Sequence, residues 1–264
     1  MSALIVSDYD GTLKKGGNVE GLKKNIKILR SFLTYDVNIM VSTGRLYKSI
    51  RAEADKFEIP FNYMSCANGN ILFDENFQII FKTNISSKII NDLQPYYSQI
   101  LGIEPLDEYG IITPNNPTEY LIHLVEEQEV RKQIVKLLLS SPDVDYCTDG
   151  SNRYAIHIFT LSNKTKTIEI VRNKLNLSQS EIYTIGDGTN DKDMIKKYNG
   201  LIVGNLFDED KNLSNFPKYE TFYSCAEELQ QTLKRGRRKW LTLYIILITK
   251  IYTFIVKWKN IAAR

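Results

Sequence analysis

The chain has 264 residues, of which 43% are hydrophobic and 25% charged, a balance that excludes a wholly disordered or fibrous protein. The net charge is +3, but residues 234–264 hold nine of the 34 basic side chains and no acidic one, which leaves residues 1–233 with 25 basic and 31 acidic side chains. The net negative charge of residues 1–233 argues against nucleic acid as a partner, because the affinity of a protein for nucleic acid comes mainly from phosphate neutralisation by Lys and Arg.

The first half of the chain alternates short apolar runs with helical patterns. Residues 4–6 predict a buried strand that delivers Asp8 and Asp10 into a tight turn. A helix with apolar residues at helical spacing follows over 22–33, and a second buried strand over 37–41 ends near Thr43. Two strands joined by a helix indicate a βαβ unit, and therefore a parallel sheet with its active edge at the carboxyl ends of the strands.

The pattern changes between residues 84 and 159, where a helix followed by two strands occurs twice. The predicted elements are helices over 86–101 and 126–140 and strands over 110–113, 119–125, 143–148 and 153–159. This αββαββ order is typical of a small antiparallel sheet backed by two helices. We therefore expect a catalytic core formed by residues 1–83 and 160–233 and an inserted α+β cap domain over 84–159.

The parallel pattern then resumes with alternating helices and strands. The predicted elements are helices over 164–175, 191–198 and 226–233 and strands over 182–185 and 201–204. The fold class expected for the core is α/β, a Rossmann-like doubly wound parallel sheet, and a hydrophobic helix is expected after it.

Carboxylates gather at the predicted edge of the parallel sheet. The strand ends supply Asp8, Asp10, Asp187 and Asp191. These carboxylates repel one another and are costly at one edge of the sheet unless a cation offsets their charge. Oxygen ligands indicate Mg²⁺, which keeps several waters and accepts a phosphate oxygen. One aspartate is then able to attack phosphorus, and its neighbour two positions on is able to act as general acid and base.

Four ordered motifs carry a resemblance to the haloacid dehalogenase superfamily of phosphatases. They are DYDGTL at 8–13, STGR at 42–45, a lysine at 164 and GDGTND at 186–191. The chain is most similar to the Cof-type and sucrose-phosphatase-like branch, whose cap is inserted between the second and third motifs. The resemblance covers about residues 3–233.

The resemblance implies a role for each matching residue. Asp8 is implied to be the nucleophile and a metal ligand, and Asp10 the acid/base that also offers its backbone carbonyl to the metal. Thr43 and Lys164 are implied to hold the transferring phosphoryl group. The remaining implied positions are metal-site residues Asp187 and Asp191, with Asn190 supporting them, and substrate-binding residues Gly11, Thr12, Gly44, Arg45, Asn68, Gly69 and Asn190.

Some of these positions have alternative interpretations. Lys166 is the alternative to Lys164, and Arg45 either contacts substrate or pairs with an acidic neighbour. Thr43 is also a suitable N-cap for the next helix. We interpret His123 and His157, which lie in apolar strands, as side chains of the cap sheet.

The basic residues 234–239 precede Trp240–Trp258, a segment of 19 residues in which only Lys250 and Lys257 are charged. Its threonines and lysines fall on one helical face, which is typical of a helix lying in a membrane interface. A single span or a helix packed on protein are the alternatives. With no signal-peptide pattern at the N-terminus and three cysteines without CxxC spacing, we expect a cytoplasmic protein that contacts membrane lipid through residues 234–258.

The combined expectation is a Mg²⁺-dependent phosphomonoester hydrolase that works through an aspartyl-phosphate. The resemblance implies a small phosphorylated metabolite as its substrate, a sugar or polyol phosphate. Two other functions fit the same residues. One is a mutase-like phosphoryl transferase, and the other is a non-catalytic, membrane-tethered sensor or adaptor for phosphorylated ligands.

Overall fold

A computed structural model describes residues 2–113, 115–124, 128–148, 155–204 and 213–235. Its helices are α1 (Val19–Phe32), α2 (Tyr47–Phe57), α3 (Lys88–Asp92), α4 (Gln128–Ser140), α5 (Lys164–Lys174), α6 (Lys192–Lys197) and α7 (residues 222–235). Its strands are β1 (Ala3–Asp8), β2 (Val37–Ser42), β3 (Tyr63–Cys66), β4 (Ile71–Asp74), β5 (Ile79–Lys82), β6 (Ile100–Leu106), β7 (Glu119–Leu124), β8 (Val144–Thr148), β9 (Ala155–Thr160), β10 (Ile182–Gly186), β11 (Asn199–Val203) and β12 (Lys218–Tyr219).

The strands of the described residues form two sheets. The larger has the order β12-β11-β10-β1-β2-β3-β4-β5, and the smaller has the order β6-β7-β9-β8. From β12 to β3 neighbouring strands are parallel, whereas β4 and β5 extend the sheet as an antiparallel hairpin. The predicted α/β core with a parallel sheet is confirmed, and the sequence interpretation had not included the β4–β5 hairpin.

The central strand β1 is buried on both faces, and this places the site at its carboxyl end. Ile5 packs into a cluster with residues of α1, α2 and α7, whereas Leu4 and Val6 pack with residues of α5 and α6 on the other face. Helices therefore cover both faces of the sheet, which is why an uninterrupted apolar run is stable in this strand. Helix α1 begins at Asn18, whose Oδ1 accepts a hydrogen bond from the Gly21 amide at 2.8 Å.

The smaller sheet is backed by helices on one face. Alternate residues of its central strands, among them Ile122, Ile156 and Ile158, are buried in an apolar cluster with residues of α3 and α4. The order of elements in this segment is αββαββ, as predicted. The assignment of residues 84–159 as a separate cap domain stays a prediction.

Two elements predicted for this segment are wrong in their bounds. The helix predicted over 86–101 is the short α3 followed by a 3₁₀ turn over Gln94–Gln99, because Pro95 lacks the amide hydrogen that a continuing helix needs. The strand predicted over 110–113 is instead β6, which ends at Leu106. Residues 107–113 form a turn, in which Asp107 Oδ1 accepts hydrogen bonds from the Tyr109 and Ile111 amides.

This turn rests on the larger sheet domain. The Tyr109 ring packs edge-on against the Tyr47 ring, with centroids 5.1 Å apart, and Lys48 Nζ donates to the Gly110 carbonyl at 2.7 Å. Lys82 Nζ also donates to Glu108 Oε2 at 2.7 Å. These contacts close one side of the space between the two sheets.

In the part of the chain that the structure describes, no helix combines the length and apolar character needed to cross a bilayer. Helix α7 is described as far as residue 235. The hydrophobic C-terminal helix predicted within residues 234–264 lies otherwise outside the described residues.

Candidate active site

The turn after β1 brings two strand ends together. Gly11 has φ +87°, and a Cβ atom at this position would lie 2.1 Å from Asp187 Oδ2. Only glycine therefore fits between this turn and the loop after β10. Thr12 Oγ1 donates a hydrogen bond to Asp187 Oδ1 at 2.5 Å, which ties the two loops to each other.

Three carboxylates lie close together, and two of them contact one buried ammonium group. Asp8, Asp187 and Asp191 each place an oxygen within 4.8 Å of the others. Lys164, at the start of α5 and only 1% exposed, donates from Nζ to Asp8 Oδ1 and, at 2.6 Å, to Asp191 Oδ1. The preference for Lys164 over Lys166 agrees with this geometry, since Lys166 Nζ instead lies 5.0 Å from the centroid of the Phe81 ring.

Asp191 is the most firmly held of the three carboxylates. Its Oδ2 accepts hydrogen bonds from the Asp187 amide at 3.0 Å and the Gly188 amide at 2.8 Å, while Oδ1 accepts from Lys164. Asp191 therefore shapes the loop that presents Asp187. Asp8 accepts from Lys164 through Oδ1 and also interacts with the neighbouring Asp187 carboxyl group.

The electrostatics of this cluster favour a further cation. Burial raises the pKa of Asp8 to about 7, against the attraction of the Lys164 ammonium, and the charges of Asp191 and Asp187 add to the increase. Burial likewise raises the pKa of Asp187, against the hydrogen bond from Thr12. Three ionised carboxylates and one ammonium leave two negative charges in a largely buried space, which is unfavourable unless another cation balances them.

The donor set fits Mg²⁺. All of the ligand atoms that converge here are carboxylate oxygens, the class of ligand that this ion prefers, and a divalent charge neutralises the excess of two. Asp8, Asp187 and Asp191 would hold the ion. Asp10 is expected at the metal through its backbone carbonyl, and this stays a prediction; its carboxylate lies outside the cluster.

We expect Mg²⁺ to raise the unfolding temperature more at pH 8 than at pH 5. In the metal-free protein, the raised pKa of Asp8 contributes stability that is complete below about pH 4 and is lost as the pH rises towards 7. Mg²⁺ binds the ionised carboxylates and restores this loss. At a concentration 100-fold above Kd the gain is about 2.7 kcal/mol, or roughly 5–10 °C for a domain of this size.

The measurement is thermal unfolding by circular dichroism, with MgCl₂ compared with NaCl at equal ionic strength. Asp187→Asn is the matched variant, because it removes one ligand and keeps the shape of the side chain. It should lose most of the Mg²⁺ effect. An equal Mg²⁺ effect at pH 5 and pH 8, or an undiminished effect in the variant, would contradict the assigned ligands.

Asp10 and Arg45 form a two-point ion pair beside the cluster. Arg45 Nε and Nη2 each donate to one carboxylate oxygen of Asp10 at 2.6 Å. Glu53 supports the pair, with Oε1 3.7 Å from Arg45 Nη1, and it also accepts hydrogen bonds from Tyr9 and Lys14 at 2.7 Å. Arg45 therefore pairs with an acidic neighbour in the structure, and its contact with substrate stays a prediction.

A cavity of about 880 Å³ opens over this edge of the sheet. The predicted site residues that line it are Asp8, Asp10, Gly44, Arg45, Asn68 and Asn190. Asn190 Nδ2 donates to Asn68 Oδ1 at 3.0 Å, which joins the GDGTND motif to the turn after β3.

The other predicted site residues do not line this cavity in the described structure: Gly11, Thr12, Thr43, Gly69, Lys164, Asp187 and Asp191. Thr43 is buried, and its Oγ1 accepts a hydrogen bond from the Arg45 amide at 3.0 Å, so it shapes the turn that presents Arg45. A Cβ atom on Gly69 would lie 2.3 Å from the Asn163 carbonyl oxygen, so this residue permits close packing against the start of α5.

The opposite wall of the cavity belongs to the smaller sheet and was missed by the sequence interpretation. It includes Glu119, Leu121 and His157 of that sheet, together with Glu108 of the turn after β6. The alternation of polar and apolar residues in β7 and β9 was available as a signal, because it predicts one face turned away from the helices. His157 is a side chain of this sheet, as predicted, and it also faces the cavity.

Comparisons with known proteins agree with this geometry. The model of the haloacid dehalogenase-like hydrolase family matches residues 5–104 and 103–216. The chain is 22% identical over 222 residues to the 5-amino-6-(5-phospho-D-ribitylamino)uracil phosphatase YcsE of Bacillus subtilis, covering 81% of this chain and 88% of that protein. It is 25% identical over 217 residues to a phosphoglycolate phosphatase of Methanospirillum hungatei, covering 80% and 88% of the two chains.

Solved structures show the same fold. The phosphatase BT1666 of Bacteroides thetaiotaomicron superposes with a TM-score of 0.65 at 17% identity, over 88% of this chain and 95% of its own. The subclass IIB sugar phosphatase BT4131 superposes with a TM-score of 0.62 at 14% identity, over 87% and 98% of the two chains.

Proposed function

Since this chain belongs to the haloacid dehalogenase-like hydrolases and is a phosphatase, we propose that it is a Mg²⁺-dependent phosphomonoester hydrolase that acts on a small sugar or polyol phosphate. The observation that carries the proposal is the convergence of Asp8, Asp187 and Asp191 beside Lys164, with Asp8 also lining the cavity. We propose the following roles for the residues of this cluster and its surroundings.

Asp8 acts as the nucleophile. Its carboxylate oxygen attacks phosphorus, the bond from phosphorus to the ester oxygen breaks, and the departing alcohol oxygen takes a proton from Asp10. Asp10 then takes a proton from a water molecule that attacks the phosphorus of the aspartyl-phosphate. The bond from phosphorus to Asp8 breaks, inorganic phosphate is released, and both aspartates return to their starting state.

Lys164 and the metal site neutralise charge during this transfer. Lys164 is held by Asp8 and Asp191 and so offers its ammonium beside the phosphoryl oxygens without reorganisation. When bound, Mg²⁺ supplies positive charge to the phosphoryl group. Arg45 holds Asp10 through both carboxylate oxygens in the free enzyme, so this contact has to open before Asp10 donates or accepts a proton.

Small phosphorylated carbohydrates are the proposed substrate class. The names of YcsE and BT4131 describe a ribityl phosphate compound and a sugar phosphate as substrates of those proteins. A cavity of about 880 Å³ has room for a ligand of this size. Both observations support a polyol or sugar phosphate as the substrate. Phosphoglycolate serves as the comparison substrate, because the relative from Methanospirillum hungatei is named a phosphoglycolate phosphatase.

The test is phosphate release by the purified full-length chain from a panel of sugar, polyol and carboxylate phosphates, with MgCl₂ or with EDTA. We expect turnover that needs Mg²⁺ and that is faster with polyol or sugar phosphates than with phosphoglycolate. Binding of phosphorylated ligands without phosphate release would contradict the enzymatic proposal and favour a sensor. Phosphate transfer to an added sugar in place of water would favour a transferase.

A location at the cytosolic face of a membrane is the remaining part of the proposal. It is supported by the sequence pattern of residues 234–258, in which a basic run precedes an apolar segment with tryptophan at both ends. Sedimentation of the full-length chain with vesicles of anionic lipid tests it. We expect binding that weakens with salt and that is reduced when Arg237 and Arg238 are replaced by Ala.

A further inference from the structure

A carboxylate and an imidazole face the catalytic aspartates from the far wall of the cavity. Glu119 on β7 and His157 on β9 both line the cavity that Asp8 and Asp10 also line. Glu119 Oε1 lies 3.4 Å from His157 Nδ1, and the two side chains are 8% and 14% exposed. This pair is a built polar site, distinct from the metal cluster and joined to it by the same cavity.

The packing of the smaller sheet does not require these polar groups. The residues that alternate with them, Tyr120 and Ile158 among others, are buried against the helices on the opposite face of the sheet. A carboxylate withdrawn from water is costly unless it accepts hydrogen bonds, and it has room for about four. Among the described residues, the contact with His157 is the one hydrogen bond of the Glu119 side chain.

The free positions of this pair match hydroxyl groups. The remaining lone pairs of the Glu119 carboxylate accept hydrogen bonds, so hydroxyl groups of a ligand are able to donate to them, and Nε2 of His157 is left to bond a further hydroxyl. A carboxylate group of a ligand is disfavoured beside Glu119, because two ionised carboxylates repel each other at short distance. Leu121, directly opposite His157 in the β7–β9 ladder, offers an apolar contact for a carbon chain.

We infer that Glu119 and His157 bind hydroxyl groups at the end of the substrate remote from the phosphate, and that they make the enzyme selective for polyhydroxylated leaving groups. This inference rests on the proposed function and adds the part of the protein that recognises the substrate. It assigns the preference for polyol over carboxylate phosphates to two side chains of the smaller sheet.

Matched substrates isolate this interaction. D-Ribitol 5-phosphate and n-pentyl phosphate share a five-carbon chain and differ in hydroxyl groups, and D-sorbitol 6-phosphate and n-hexyl phosphate form a second pair. We expect kcat/KM for the polyol phosphate to exceed that for its alkyl partner by at least about 100-fold in the better-hydrolysed pair, because a polar site rejects an analogue that leaves its groups unpaired. Glu119→Gln and His157→Phe should each reduce this ratio by about tenfold or more.

The same sheet provides a control. Glu104 Oε1 and His123 Nε2 form a second glutamate–histidine pair at 3.6 Å, with side chains 41% and 33% exposed, and neither residue lines the cavity in the described structure. Glu104→Gln should leave the ratio unchanged. Thermal unfolding of each variant checks that the sheet is intact.

The outcomes separate the inference from the function beneath it. Mg²⁺-dependent turnover with the wild-type ratio kept in both Glu119→Gln and His157→Phe would overturn the inference and leave the proposed function standing. An equal fall of the ratio in Glu104→Gln would also overturn it, because the effect would then belong to the sheet as a whole. If the wild-type chain hydrolysed no phosphate ester, both the inference and the proposed function would be wrong.

Discussion

Asp8→Asn is expected to reduce phosphate release from every substrate by about 10⁴-fold or more. The amide is neutral and a poor nucleophile, so no aspartyl-phosphate forms on it. The replacement keeps the size of the side chain at a buried position beside Lys164. The measurement is initial phosphate release at saturating Mg²⁺, with trapping of phosphorylated protein from quenched reactions as a second readout.

The loss in this variant should come without loss of the fold. Burial already disfavours the ionised form of Asp8, as its raised pKa of about 7 indicates, so removing that charge should leave the metal-free unfolding temperature at pH 8 equal or higher. Asp55→Asn is the matched control, since Asp55 forms an exposed pair with Arg51 on α2. Retention of more than a tenth of the activity in Asp8→Asn would assign the nucleophile to another group.

Lys164→Met is expected to lower both stability and activity. The variant leaves the Asp8 and Asp191 carboxylates buried without their ammonium partner, and breaking a buried pair in this way costs about 3–5 kcal/mol at neutral pH. The cost should shrink as the pH falls and the carboxylates take up protons, and MgCl₂ should raise the unfolding temperature more than in the wild type. Activity should fall by about 100-fold or more, the effect of losing one preorganised charge.

Lys166→Met provides the comparison for this prediction. Lys166 lies on the same helix, two residues further on, and its Nζ contacts the Phe81 ring rather than a carboxylate. Urea unfolding of Lys166→Met at pH 5 and pH 8 should show a change in the free energy of unfolding of no more than about 1 kcal/mol. Phosphate release by this variant should be close to that of the wild type. The reverse result, with Lys166→Met inactive and Lys164→Met active, would assign the phosphoryl-binding lysine to position 166.

The catalytic edge was predictable because its residues follow buried parallel strands. The apolar run of β1 places Asp8 at a strand end, and Asp187 comes directly after β10, the neighbour of β1 in the sheet. The carboxyl ends of adjacent parallel strands share one edge, so short motifs far apart in the chain predict a shared site. The family match confirms the resemblance drawn from those motifs.

Side-chain pairings at the same edge were less predictable. Arg45 had two possible partners in the sequence, and its contact with Asp10 depends on how the turns after β1 and β2 face each other. Thr43 and Gly69 belong to the predicted motifs, yet their backbone and packing contacts place them outside the cavity lining of the described structure. Such differences depend on distances of a few ångströms between loops, which no local pattern encodes.

By itself, the sequence determined the class of the core, the αββαββ order of the segment between its halves, and the carboxylates and lysine of the candidate site. These follow from local periodicity and from residue types at strand ends, which act over a few neighbouring residues. Only the tertiary structure decided that Glu119 and His157 complete the cavity opposite Asp8 and Asp10. The physical reason is that a wall between two sheets depends on their relative placement, set by contacts such as Tyr109 on Tyr47 and Lys48 on Gly110, between residues distant in the chain.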